Sequence, residues 1–149
     1  MENTRAKFED KLKWRVEDLY PDREAFEADY KEVQERLKDY DKYKGHILDD
    51  AEMLLELLEF DTEISKKLER IYIYAHIQND QDTRDTSAQD LYERATRLCE
   101  ESEEASSYIV PEIMKSSYDK VEGYIAENDA LKPYRRVLKE IYRNKEHIL

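Results

Sequence analysis

Only two glycines, Gly45 and Gly123, and three prolines, Pro21, Pro111 and Pro133, punctuate 149 residues. A fold rich in hairpins needs such residues at every reversal, so a chain this short of them is left with long helices. The apolar spacing agrees. Phe26, Tyr30, Val33, Leu37 and Tyr40 step by four, three, four and three, which places them on one stripe of a helix. Asp22 is a natural N-cap, Glu24 suits the positive end of the helix dipole, and Gly45 supplies a left-handed stop.

The same periodicity continues along the chain. Asp49 and Glu52 form a capping-box pattern ahead of a short helix whose buried side is Met53, Leu54, Leu57 and Leu58. A separate helix then carries Ile64, Leu68, Ile71 and Ala75, with Ile73 and Ile77 on a second face. The polar run 79–85 predicts a loop, and Thr86 with Gln89 predicts the next cap. Behind it Ala88, Leu91, Ala95, Leu98, Ser102, Ala105 and Ile109 make one seam of small and branched residues, which Val110-Pro111 is expected to end. Ser117 caps a helix bearing Val121, Tyr124 and Ile125; a last helix starts near Pro133 and carries Tyr134, Val137, Leu138, Ile141 and Tyr142. No segment alternates with period two. The expected fold is all-α, an antiparallel bundle of about five to six helices over residues 22–149, with residues 1–21 as an amino-terminal arm leading into it.

Charge narrows the partners. The net charge is −12, and it is uneven: residues 1–45 hold 11 basic and 13 acidic side chains, 46–112 hold 6 and 18, and 113–149 hold 8 and 6. The acidic middle repels phosphate backbones and anionic lipid, so nucleic acid and membrane are not expected partners. No apolar run approaches the ~20 residues of a membrane span, and no signal peptide is visible at the start. Cys99, the single cysteine, cannot form an internal disulfide, which suits a reducing, cytoplasmic setting.

Chemistry-bearing patterns are sparse. A zinc-peptidase helix needs two histidines four residues apart, so that both rings face one ion, with a glutamate between them as base. His46, His76 and His147 are far apart, and no glutamate stands three residues before any of them. The Asp80–Leu91 stretch fails as a calcium loop, because Arg84 stands at a ligand position, Asp85 replaces the turn glycine and Leu91 replaces the final glutamate. Cys99 has no histidine near it in sequence, and no glycine-rich phosphate loop exists. No catalytic residue, metal ligand or cofactor is therefore expected in this chain. The compositional oddity is twelve tyrosines against three phenylalanines. Tyr72 and Tyr74 flank Ile73 on one helix and must point in different directions, so at least one should reach a polar surface or cleft.

Several strings together resemble one family. Trp14-Arg15-Val16-Glu17-Asp18-Leu19-Tyr20-Pro21 is similar to the W-x-x-E-D-L-Y-P sequence near the start of bacterial oligoendopeptidase F. Tyr43-Lys44-Gly45 falls where that family has a turn. Leu68-Glu69-Arg70-Ile71-Tyr72-Ile73-Tyr74-Ala75-His76, followed by Asp80, Asp82 and Thr83, resembles its L-x-R-x-Y-x-Y-A-H segment. Pro111-Glu112-Ile113 and Tyr134-Arg135, with Leu138, Ile141, Arg143, His147 and Leu149, continue the match to the end. The resemblance implies the amino-terminal helical lobe of a cytoplasmic zinc metallopeptidase that cleaves short peptides. Zinc and the H-E-x-x-H helix would belong to a larger carboxy-terminal catalytic domain of the same polypeptide. The lobe would help to wall the peptide channel, with Tyr72, Tyr74 and His76 as candidate contacts to the peptide cleft or to that domain. A face left apolar for the missing domain could also support homo-oligomers. The competing expectation is a stand-alone helical interaction or self-association module, in which the Ala88–Ile109 seam is an interface rather than a core.

Overall fold

Asp22 starts the first described helix as the sequence predicts. The structure, a computed structural model, describes residues 19–81 and 84–147, with side chains through Asn144; most of the predicted 1–21 arm therefore lies outside the described residues. Asp22 has extended backbone, and its Oδ1 accepts from Ala25 N at 2.8 Å. This satisfies one of the four orphan donors of helix α1, Arg23–Arg36. A 3-10 turn, Leu37–Asp39, and a short helix α2, Tyr40–Tyr43, follow without losing the stripe. Phe26, Tyr30, Val33, Leu37 and Tyr40 are all buried. Gly45 then adopts φ 83°, a left-handed geometry that only glycine takes without strain.

Helix α3 spans Ala51–Gln81, 31 residues in one piece. This corrects the sequence expectation of two helices. Nothing between Leu58 and Ile64 breaks the backbone ladder: Thr62 donates its hydroxyl to Leu58 O at 2.7 Å inside the helix, and Phe60 is buried. The cap also moves by one residue. Asp50, not Asp49, accepts from Met53 N at 2.7 Å. A one-residue shift in the opposite direction, from the expected Thr86, occurs at helix α4, Thr86–Ser106, where Asp85 Oδ1 accepts from Ser87 N at 2.9 Å. The predicted loop is shorter than 79–85, because α3 runs on to Gln81.

Pro111 does not end α4. A turn at Ser107 and Tyr108 separates the two helices although Tyr108 keeps right-handed helical dihedrals, and Pro111 sits in the first turn of helix α5, Ile109–Met114, where its missing N–H removes no hydrogen bond. Helix α6, Tyr118–Glu127, is capped by Ser117, as expected. A 3-10 stretch, Asp129–Tyr134, contains Pro133 and leads into helix α7, Arg135–His147. The described residues are thus all-α, with five helices of ten residues or more.

They group into two compact units. The first comprises Met1–Leu37 and Ile64–Ser102, as far as these are described, and the second Lys38–Glu63 and Glu103–Leu149. In the first, α1 runs antiparallel to the second half of α3, as the pairs Phe26–Tyr74 and Asp29–Lys67 show. The α3–α4 hairpin brings Tyr72 against Tyr92. Tyr20, Phe26 and Tyr74 interlock at 5.0–5.6 Å, each aromatic pair contributing about 1 kcal/mol beyond its buried area. Ala88, Leu91, Ala95, Leu98 and Ser102 are buried here, so this part of the seam is core.

In the second unit Tyr40 and Phe60 meet at 4.8 Å, and Ile47, Leu54, Ile113, Val121, Leu131 and Leu138 are buried. Tyrosine hydroxyls tie it together. Tyr124 Oη donates to Leu48 O at 2.8 Å, Tyr142 Oη donates to Ile113 O at 2.7 Å, and Tyr108 Oη donates to Tyr40 O. Glu112 closes the turn after α2: one carboxylate oxygen accepts from Gly45 N at 2.6 Å and the other from Ile47 N at 3.1 Å.

Candidate functional site

Helix α3 places Tyr72 and His76 one turn apart, so their side chains rise on the same face. Their rings lie nearly parallel, 5.9 Å apart with a 7° tilt. Tyr92, from α4, closes a trio: its ring is 5.8 Å from Tyr72 and 5.7 Å from His76. The two phenols are 3.1 Å apart, and either can donate to the other. That bond raises the Tyr72 phenol above its ordinary value, and partial burial adds to the rise. His76 has 47% of its side chain in solvent, and its Nε2 lies 3.3 Å from Asp80 Oδ2. The result is a half-buried aromatic patch with a carboxylate at its rim.

Tyr74 goes the other way. It is 7% exposed and packs against Phe26 and Tyr20, so the two tyrosines flanking Ile73 do diverge as helical geometry requires. Of the three candidates, the structure brings Tyr72 and His76 together and assigns Tyr74 to the core. Tyr92 escaped the sequence reading; its only signal was a position beside the α4 seam, next to buried Leu91.

His46 Nδ1 lies 2.8 Å from Asp49 Oδ2 on the surface of the second unit. Cys99 is a half-buried thiol that forms no disulfide and lies near enough to Tyr72 to help raise its phenol. The described residues do not fit a zinc site: His46 and His76 each face a single carboxylate three or four residues along, and no three metal-binding side chains converge among the described residues. Among those residues, too, no helix is long and apolar enough to cross a membrane.

Two further constellations are structural. Arg94 grips both oxygens of Glu27 at 2.7 and 2.8 Å, with its guanidinium 4.5 Å from the centre of the Tyr30 ring. Lys67 joins Asp29 at 3.3 Å and Glu32 at 2.7 Å. On α7, Arg136, Lys139 and Arg143 line an open groove with Tyr118, Glu140 and Tyr142.

Comparison with known proteins gives this geometry a setting. A family described as Oligopeptidase F matches residues 112–149. The chain is 36% identical over 136 residues to "Oligopeptidase PepF" of Bacillus subtilis, covering 91% of this chain and 20% of that protein. It is 30% identical over 149 residues to "Group B oligopeptidase PepB" of Streptococcus agalactiae, covering 100% of this chain and 25% of that protein. Among solved structures, oligoendopeptidase-F from Enterococcus faecium matches with a TM-score of 0.78 and 38% identity, over 86% of this chain and 25% of that one. A putative peptidase from Chlamydophila abortus matches with a TM-score of 0.74 and 28% identity, over 86% of this chain and 22% of that one. The chain spans about a fifth to a quarter of the length of the curated relatives it matches. Sequence and fold agree along most of the chain, and both support an amino-terminal domain of an oligoendopeptidase F-like peptidase.

Proposed function

We propose that this region is the non-catalytic helical lobe of an oligoendopeptidase F-type zinc metallopeptidase, and that it helps to wall the channel through which short peptides reach the catalytic centre. The single observation behind this reading is the match over 86% of the chain, at a TM-score of 0.78, to one quarter of the Enterococcus faecium oligoendopeptidase-F chain. The lobe's own residues contribute shape, exclusion and charge. The catalytic portion of the same polypeptide, with its zinc, supplies hydrolysis. Tyr72 and His76 face the peptide, while Tyr74 holds α3 in place from behind. The acidic stretch 46–112 sets the local potential and favours cationic over anionic peptides. The protein acts in the cytoplasm.

The self-association reading loses its ground because most of the seam it would use, from Ala88 to Ser102, is buried within the first unit. The test is kinetic. The polypeptide encoded by the reading frame that contains this chain is assayed on fluorogenic oligopeptides and on a folded protein, with and without a chelator. Chelator-sensitive cleavage of the oligopeptides alone is expected. A reading frame with no H-E-x-x-H helix, or equal cleavage of the folded protein, refutes the proposal. Charge reversal at exposed acids within 46–112 should shift selectivity from basic towards acidic peptides.

A further inference from the structure

From the arrangement of Tyr72, His76, Tyr92 and Asp80 we propose a binding site for a cationic side chain, arginine or lysine, of a peptide. The choice of a peptide as its carrier rests on the function proposed above.

Three observations converge. First, three rings from two helices lie within 5.9 Å of one another, and each keeps part of its surface in solvent. An aromatic face attracts a cation through its quadrupole, and guanidinium groups also stack on it. Second, other tyrosines already hold an internal cation. Arg94 stands over Tyr30, Lys42 over Tyr43, Lys44 over Tyr108 and Lys120 over Tyr124, at 4.5–6.0 Å. Among the described residues no cation stands over Tyr72 or Tyr92, so those rings keep their attraction for one supplied from outside. Third, Asp80 places a carboxylate at the edge of the patch, 3.3 Å from the His76 ring, with 64% of its side chain in solvent. Asp80 stands two turns along α3 from Tyr72 and one turn from His76, so a guanidinium at the exposed rim of His76 has that carboxylate beside it. The surroundings favour the same sign, since residues 46–112 carry 18 acids against 6 bases. The Tyr72–Tyr92 hydroxyl bond holds the two rings in position before any ligand arrives.

The site is tested by nuclear magnetic resonance on the 149-residue chain, titrated with acetyl-Gly-Arg-Gly-Arg-Gly-amide. The controls carry citrulline, glutamate or phenylalanine in place of arginine. Saturable shifts at Tyr72, His76, Asp80 and Tyr92 are expected. The arginine peptide should bind about five-fold more tightly than the neutral citrulline peptide, and the glutamate peptide more weakly than either. Asp80→Asn should weaken the arginine peptide about two-fold and leave the citrulline peptide unchanged, as for an exposed charge pair. Tyr92→Leu should abolish the preference; if that variant does not fold, Asp80→Asn, at an exposed position, carries the test. Equal binding of arginine and citrulline, tighter binding of the phenylalanine peptide, shifts centred elsewhere, or no shifts at all overturn the proposal. The two readings fail separately. A reading frame without the zinc-peptidase helix sinks the proposed function and leaves the cation site standing. An active oligopeptidase whose lobe does not distinguish arginine from citrulline does the reverse.

Discussion

Replacing Arg94 with alanine isolates the strongest polar tie in the first unit. Its guanidinium grips both oxygens of Glu27, at 2.7 and 2.8 Å, and lies 4.5 Å from the Tyr30 ring centre. The side chains are 28% and 39% exposed, so the pair is neither dry nor fully screened. A well-oriented partly exposed pair contributes about 1 kcal/mol, and the ring contact adds about 0.5–1 kcal/mol. Arg94→Ala should therefore cost about 1.5–2 kcal/mol in urea unfolding. Arg94→Lys keeps the charge but loses the two-pronged grip, and should cost about half as much. Arg97, exposed on the same helix, provides a control whose alanine variant stays within about 0.5 kcal/mol of the parent. Crossing Arg94→Ala with Glu27→Gln gives the coupling directly. The pH dependence adds an independent check. The bond from Arg94 holds the Glu27 carboxyl below its ordinary value of 4.5. A depressed carboxylate stabilises the fold fully above about pH 4.5, and that contribution disappears as pH falls through the lowered value. The gap between parent and Arg94→Ala should accordingly narrow in acid. No loss of stability in Arg94→Ala, or a coupling near zero, would refute this account of how the first unit is held.

Other perturbations probe other parts of the fold. Glu112→Ala leaves the N–H groups of Gly45 and Ile47 without their carboxylate, and should cost about 1–3 kcal/mol by thermal or urea unfolding. Gly45→Ala should cost about 1–2 kcal/mol through backbone strain alone, because an added Cβ at φ +83° meets nothing within 4 Å. Phe26→Ala removes a fully buried ring from contact with Tyr20, Tyr30 and Tyr74, and should cost about 3–5 kcal/mol, enough to populate unfolded chain at modest temperature. In alkali, burial together with Glu112, Asp41 and Asp61 pushes the Tyr108 phenol up to about 12 from 10.0. Because the folded value is the higher, this tyrosine contributes fully below pH 10 and loses its contribution as pH rises towards 12, so ultraviolet titration should show phenols ionising together with unfolding.

Periodicity and the scarcity of breakers were enough to determine class and core. The stripe from Phe26 to Tyr40 is buried as spaced, and so is most of the α4 seam. Helical spacing is a local property, and a three-four pattern carries it without reference to the rest of the chain. The caps Asp22 and Ser117 were legible to the residue; the other two only to within one, since Asp49-Asp50 and Asp85-Thr86 each offer two adjacent side-chain oxygens and the approach of the chain selects between them. The continuity of α3 was within reach of the sequence, since residues 59–63 hold no glycine or proline, whereas the place of Pro111 in a first turn lay beyond local pattern. Proline is tolerated both after a helix end and within a first turn, and the buried Ile109 lies in the second of these settings.

The candidate site divides along the same line. Tyr72 and His76 share a face by arithmetic, and the opposite direction of Tyr74 follows from the 100° step of a helix. That Tyr92 completes the trio, that Arg94 finds Glu27 and that Glu112 reaches the turn at Gly45 were decided by tertiary structure alone. Those partners are 16 to 67 residues apart, and no repeating pattern encodes them; only the packing of helix against helix brings them within bonding distance.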